Sequence, residues 1–245
     1  MKGKIKLQQI ELSIDIAGEN WSQGDFIEGQ FEINNLAPNE IKLDQYAVSL
    51  ALGDFKKVKA RHAKAFSIID TVTAQQENKL AFSFHLAEDC PITDKNSGLY
   101  LLYGNRESIE NGSFLQLNIR PQKILIDFTQ IFQSFHRFQE KGFKNKKGYL
   151  EVKFIPPKSR EYATIDGLNC LMRIKDKNLE LKYLFKVKNL SYAAAGNVAM
   201  SKKLVEIEKI LTPSEYLFYA DAPDQDKINA SILAVLEQVK SKSFF

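Results

Sequence analysis

Ile10-Glu11-Leu12-Ser13-Ile14-Asp15-Ile16 alternates apolar and polar residues without a break. Successive side chains of a strand point to opposite faces, so this heptapeptide makes one apolar and one wet face. The same period recurs downstream. Ile27, Phe31 and Ile33 share a parity, with Gly29 between them, and Tyr46, Val48, Leu50 and Leu52 form another set. Leu80, Phe82, Phe84 and Leu86 alternate with Ala81, Ser83 and His85, and Leu115, Leu117 and Ile119 close the series. Turn residues separate these runs: Gly18-Glu-Asn20, Asn34-Asn35, Ala37-Pro38-Asn39, Asp94-Lys-Asn96 and Asn111-Gly112. Asn-Gly favours a type I′ hairpin, whose central residues need positive φ. The parity slips between Leu7 and Ile10, which predicts a bulge near Gln8-Gln9. Trp21 falls in an expected loop, and residues 53–66 read as a strand end, a loop and the next strand.

Arg120-Pro121 ends this pattern. Phe128, Ile131, Phe132, Phe135 and Phe138 then follow helical spacing, with Asp127 at the expected N-cap and Gly142 after the end. Period two returns in Leu150-Val152-Phe154, in Leu168-Cys170-Met172-Ile174, in Leu179 to Val187 and in Val205-Ile207. Asp176-Lys-Asn178 makes a turn, and residues 191–200 read as a small-residue connection. Ile228, Ile232, Val235, Leu236 and Val239 mark an amphipathic C-terminal helix started by Asp224 or Asp226, and the tail ends in Phe244-Phe245. The expectation is an all-β chain of two tandem antiparallel β-sandwich domains, immunoglobulin-like in size, with one helix early in the second and another at the C-terminus. Residues 1–122 form the first domain, 123–220 the second, and 221–245 a helix and tail.

The 245 residues are 44% hydrophobic, which suits globular domains. No run of about 18 apolar residues suggests a membrane helix, and the strand-like N-terminus is unlike a signal peptide. Two cysteines 80 positions apart, Cys90 and Cys170, exclude a disulfide-rich scaffold. Phosphate-loop, dinucleotide-turn, nucleophile-elbow and metalloprotease motifs are absent from the sequence. The three histidines, His62, His85 and His136, stand far apart; His85 faces away from its strand's apolar parity, and His136 is expected at a surface or interface. The reading is therefore of no catalytic, cofactor-binding or metal-binding residues. A sandwich-fold enzyme acting on carbohydrate would require two carboxylates facing a cleft.

The net charge of +4 divides unevenly. Residues 1–122 hold 13 basic and 16 acidic side chains, residues 123–245 hold 21 and 14, so −3 faces +7. Two basic clusters follow: Lys56, Lys57, Lys59, Arg61 and Lys64, and Lys141, Lys144, Lys146 and Lys147. On a strand, Lys57, Lys59 and Arg61 would share a face. Lys57, Lys59, Arg61, Lys144, Lys146 and Lys147 are the candidate partner-binding residues. A solvated face or lysine-guarded edge and an anionic partner surface are both open readings. Nucleic acid is disfavoured, because neither cluster interleaves the aromatics that stack on bases.

Several segments carry a family resemblance. Ser22-Gln-Gly24-Asp-Phe26-Ile-Glu-Gly29-Gln-Phe31-Glu-Ile33 resembles the glycine-spaced strand of arrestin-like N-domains. Leu80 to Leu86 followed by Cys90-Pro-Ile-Thr93, then Leu99 to Tyr103, resemble the strands after it. Ile124 to Phe143, Tyr149 to Pro156, Ile165 to Arg173 and Leu179 to Lys188 are similar, in their order, to the bacterial sporulation-control proteins of the arrestin clan. The resemblance spans roughly residues 4–212. It implies a two-domain arrestin-like fold without catalysis: a cytoplasmic adaptor or regulator binding protein partners through sheet edges, loops or the inter-domain groove. A homodimer, and an anionic membrane surface met by the basic second half, are the other partner options.

Overall fold

The computed structural model describes residues 1–75, 77–192, 198–219 and 222–242. The chain divides into two compact units, Met1–Pro121 and Gln122–Phe245.

In the first unit the strands are β1 (Lys2–Leu7), β2 (Ile10–Ile16), β3 (Trp21–Ser22), β4 (Phe26–Asn35) and β5 (Tyr46–Asp54). A short helix α1 (Phe55–Lys59) follows, then β6 (Phe66–Thr73), β7 (Lys79–His85), β8 (Ser97–Asn105), β9 (Ser113–Gln116) and β10 (Ile119–Arg120). Two four-stranded sheets, ordered β1-β2-β4-β7 and β6-β5-β8-β9, bury their alternating apolar faces on each other. Leu12, Ile14, Phe31 and Ile33 from one sheet meet Val48, Leu99, Leu101 and Tyr103 from the other, each at most 1% exposed. Gly29 is required by close approach. A Cβ there would stand 2.6 Å from the Asp15 carbonyl oxygen and 2.7 Å from the Phe82 ring.

Several local expectations change. The parity slip at Gln8-Gln9 is a two-residue hairpin turn joining paired strands, with Gln8 at φ 55°, and not a bulge. Trp21 lies on β3, paired in parallel with β10, and is 6% exposed in the core. Asn111-Gly112 makes no type I′ turn: a 3₁₀ helix over Arg106–Asn111 joins β8 to β9, and Gly112 ends it at φ −70°. Residues 53–66 hold α1 where a loop was expected, because the Asp54 carboxylate accepts from the Lys56 and Lys57 amides and caps it.

The second unit runs α2 (Lys123–Ser134), β11 (Gln139–Lys146), β12 (Tyr149–Ile155), β13 (Ile165–Lys175), β14 (Asn178–Tyr192) and β15 (Val198–Leu211). It ends with α3 (Pro213–Tyr216), a small hairpin of β16 (Leu217–Tyr219) and β17 (Ala222–Pro223), and α4 (Gln225–Lys242). The five strands β11 to β15 form one antiparallel meander in sequence order. Asp176 and Lys177, both at positive φ, make the tight turn between β13 and β14. The connection expected at 191–200 is shorter, because both strands run into it; residues 193–197 lie outside the described residues, as does the Phe244-Phe245 tail.

The layer facing this sheet is helical. Phe132 of α2 stacks on Phe154 of β12 at 4.8 Å and lies 6.3 Å from Tyr183 of β14. Ile228, Ile232, Val235, Leu236 and Val239 of α4 are all at most 1% exposed, so the C-terminal helix packs within its unit. Asp224 accepts from the Lys227 amide at its start. The start and end of α2 differ from expectation. Its N-cap is Gln122, Asp127 sits inside it paired with Lys123 at 2.5 Å, and Gly142 lies on β11 beside a bulge. Phe135 is 52% exposed, and Phe138 is buried beyond the helix end.

Candidate functional site

Lys57 and Lys59 lie on α1 and Arg61 in the turn after it, so they share no strand face. Arg61 adopts φ 51°, a left-handed conformation that costs a non-glycine residue about 1 kcal/mol. All three are exposed.

Their surroundings form a cleft that neither charge nor periodicity signals. The outer face of the β6-β5-β8-β9 sheet carries a second apolar cluster of Ala47, Ala51, Tyr100, Leu102 and Ile109. Here β5 contributes only small residues, and a Cβ at Gly53 would strike the Tyr100 ring. Rings from neighbouring strands close over this low floor. Phe66 of β6, Tyr100 of β8 and Phe114 of β9 lie 5.3–5.6 Å apart, centroid to centroid. The α1 turn, with Val58, Arg61 and His62, borders a cleft of about 700 Å³ that Phe66 and Phe114 also line. The 3₁₀ helix borders it too, with Arg106 and Ile109. His62 Nδ1 accepts from the Lys64 amide at 3.1 Å, which leaves Nε2 as the protonated donor of the neutral ring.

The same sheet ends in an open edge. Strand β6 pairs only with β5 among the described residues, and Ile68 and Ile69 are 45% and 54% exposed. Asp70 is the one charged residue on this strand.

The second predicted cluster is held differently. Lys144 and Lys146 on β11 both reach the Glu151 carboxylate at 2.5 Å, and that side chain is only 2% exposed. Burial raises the Glu151 pKa, but the two ammoniums outweigh it and hold the carboxyl below the usual range. Lys147 stands apart from them in the β11–β12 turn, exposed, at φ 51°. Lys144, Glu151, Leu171, Lys182 and Glu208 form one cross-strand row over all five strands, and Lys182 meets Glu208 at 2.5 Å. Arg173 meets Glu180 at 2.7 Å on the same face and lies 4.3 Å above the Tyr149 ring. Four cations of the second unit, Lys144, Lys146, Arg173 and Lys182, are thus engaged by carboxylates of their own sheet.

The reactive residue types are placed structurally. Burial, with Asp89 adding to it, pushes the Cys90 thiol up to about 12, and burial raises the Cys170 thiol further. Neither supplies a thiolate near neutral pH. His85 is exposed against the Phe26 ring. His136 is not at a surface: it is 6% exposed, with Nε2 2.9 Å from Asn229 Oδ1 and Nδ1 3.4 Å from Tyr162 Oη. Among the described residues no group of three histidine, cysteine or acidic side chains is placed to hold a metal ion. Among them, too, no helix is long and apolar enough to cross a membrane.

No family model matches the chain, and no curated protein matches it in sequence. Its structure is similar to the crystal structure of Spo0M, a sporulation control protein from Bacillus subtilis. The TM-score is 0.61 at 12% identity, over 95% of this chain and 99% of that one. At that identity the likeness is one of fold alone, and the chain has the arrestin-like fold of that sporulation control protein.

Proposed function

We propose that the protein is a non-enzymatic adaptor or regulator that captures a segment of a protein partner by strand addition at a sheet edge. The observation that carries this reading is strand β6, an edge whose exposed Ile68 and Ile69 are accompanied by a single charge. Natural edges are commonly guarded by lysine, proline or a covering segment, and an apolar unguarded edge is a pairing surface. A bulge at Ile69, between the Leu50–Asp70 and Ala51–Ile68 pairs, limits that surface to part of the strand. The fold shared with a sporulation control protein supports a regulatory role, and the buried thiols and dispersed histidines support the absence of chemistry. The cytoplasm is the compartment in which such an adaptor with two unpaired cysteines would work.

The test is affinity capture from the native host with wild-type protein and a Ser67→Lys/Ile69→Lys variant, compared by mass spectrometry. A partner captured by the wild type and lost by a folded variant supports strand addition at β6. Identical partners on both overturn it.

A second reading, contact with an anionic membrane, draws on the +7 of residues 123–245 and on Phe218 and Tyr219, which are 80% and 78% exposed on β16. Pelleting with phosphatidylserine vesicles decides it, because such binding must fall steeply between low and physiological salt.

A further inference from the structure

We propose that the cleft on the outer face of the β6-β5-β8-β9 sheet binds a small amphiphilic anion, a carboxylate or phosphate monoester on a flat apolar body. The volume, about 700 Å³, lies in the range of small-molecule sites. Its apolar floor is specific in shape. Phe66 and Phe114 lie 5.6 Å apart and both line the cleft, and Phe114 is 44% exposed. An aromatic ring left that open on a surface is a stacking platform for another ring.

The donors are supplied by the two bordering segments. Arg61 comes from the α1 turn and Arg106 from the start of the 3₁₀ helix, and neither is ion-paired among the described residues. Glu107 and Glu110 line the same cleft without engaging either guanidinium, so both forks keep their donors open. A guanidinium matches carboxylate or phosphate geometry with two parallel hydrogen bonds. His62 adds a third donor through Nε2, because its Nδ1 is occupied by the Lys64 amide. The turn that holds Arg61 is one a glycine would make without cost, and at φ 51° it presents a long cationic side chain instead. Two guanidiniums and two carboxylates leave the rim formally neutral, so the open arginine forks and the apolar floor, and not net charge, select a ligand with an apolar body and an anionic head.

Calorimetric titration of the full chain at low salt tests this. The anionic probes are 2-naphthoate and 2-naphthyl phosphate. The controls are neutral 2-naphthylmethanol and acetate, which has a head without a body. Saturable 1:1 binding of at least one anionic naphthyl probe is expected. It should be weakened about tenfold or more in Arg61→Gln/Arg106→Gln, from the loss of charge-assisted hydrogen bonds. The two controls should bind at least about tenfold more weakly than the anionic probe. Both arginines are exposed, so the variant should melt with the wild type. The proposal is overturned if neither anionic probe saturates, if the double variant binds equally well, or if the neutral alcohol matches the anions. The wild-type comparison of anion with alcohol decides the matter even where a variant misfolds. These substitutions leave Ser67 and Ile69 intact, so the result is independent of strand addition at β6.

Discussion

Tyr183 faces Cys170 directly across the β13–β14 pair, and its hydroxyl is buried with no hydrogen-bond partner among the described residues. The ring itself is well used: it stacks on Phe185 at 6.2 Å and touches Phe128 and Phe132 of α2. A buried unpaired hydroxyl costs about 1–3 kcal/mol. Tyr183→Phe keeps the ring and removes the orphan group. We expect it to raise stability by about 1 kcal/mol. In urea this would appear as a higher midpoint with an unchanged slope.

His136 ties the end of α2 to α4 and to the 3₁₀ helix over Arg160–Tyr162. Burial is the main influence on its pKa and lowers it from 6.5; Asn229 and Glu161 oppose the shift and Lys240 reinforces it. Near pH 6 the unfolded chain therefore binds more protons here than the native one. The contribution is fully present above pH 6.5 and fades as pH falls through the lower native pKa. Urea midpoints should fall between pH 7 and pH 5 in the wild type, and His136→Gln should flatten that slope.

Glu151 is nearly inaccessible beside the buried Leu171 of its cross-strand row, and two lysines keep it ionised. Removing one leaves the other. Removing both leaves a buried carboxylate without a counter-charge. Lys144→Met/Lys146→Met should cost about 2 kcal/mol, less than a fully buried pair because both ammoniums are partly exposed. Each single variant should cost far less. The native carboxyl titrates below its usual range, so its contribution is present above about pH 4.5 and is lost on further acidification.

Deletion of residues 225–242 removes five side chains that are at most 1% exposed. Each buried aliphatic side chain contributes about 1.5–3 kcal/mol. Five of them amount to about 8–15 kcal/mol, comparable to the whole stability of an ordinary domain. The truncated protein should keep the melting transition of its first unit and lose that of its second. A cooperative second unit after truncation would contradict the packing described for α4.

The sheets were legible because period two is strong wherever one face is buried: Leu12, Ile14 and Ile16, or Leu179 to Val187, can turn only one way. Shorter features escaped that logic. A two-residue turn and a bulge both shift parity, and Gln8 carries none of the glycine or asparagine chemistry that would distinguish them. Helix α1 spans five residues, too few for a helical period, and its only sequence signal is the Asp54 cap. Asp127 resembled a cap because it precedes the phenylalanine stripe, but α2 begins four residues earlier, at Lys123 behind the cap Gln122. The cleft was illegible as a whole. Its lining comes from residues 58–68 and 106–114, two segments that nothing in the sequence connects. Of the six candidate cations, Arg61 alone reaches the cleft, and Lys144 and Lys146 are occupied with Glu151.

The β6-β5-β8-β9 sheet carries separate apolar clusters on its two faces. The inner one closes the sandwich, while the outer one is packed, among the described residues of its unit, by Phe55 and Val58 of the short helix and by the 3₁₀ segment carrying Ile109. Arg61 and Arg106 are exposed beside the outer cluster, so a ligand bound there as proposed could be exchanged by substitutions at these two positions that leave the inner cluster, on which folding of the sandwich rests, intact.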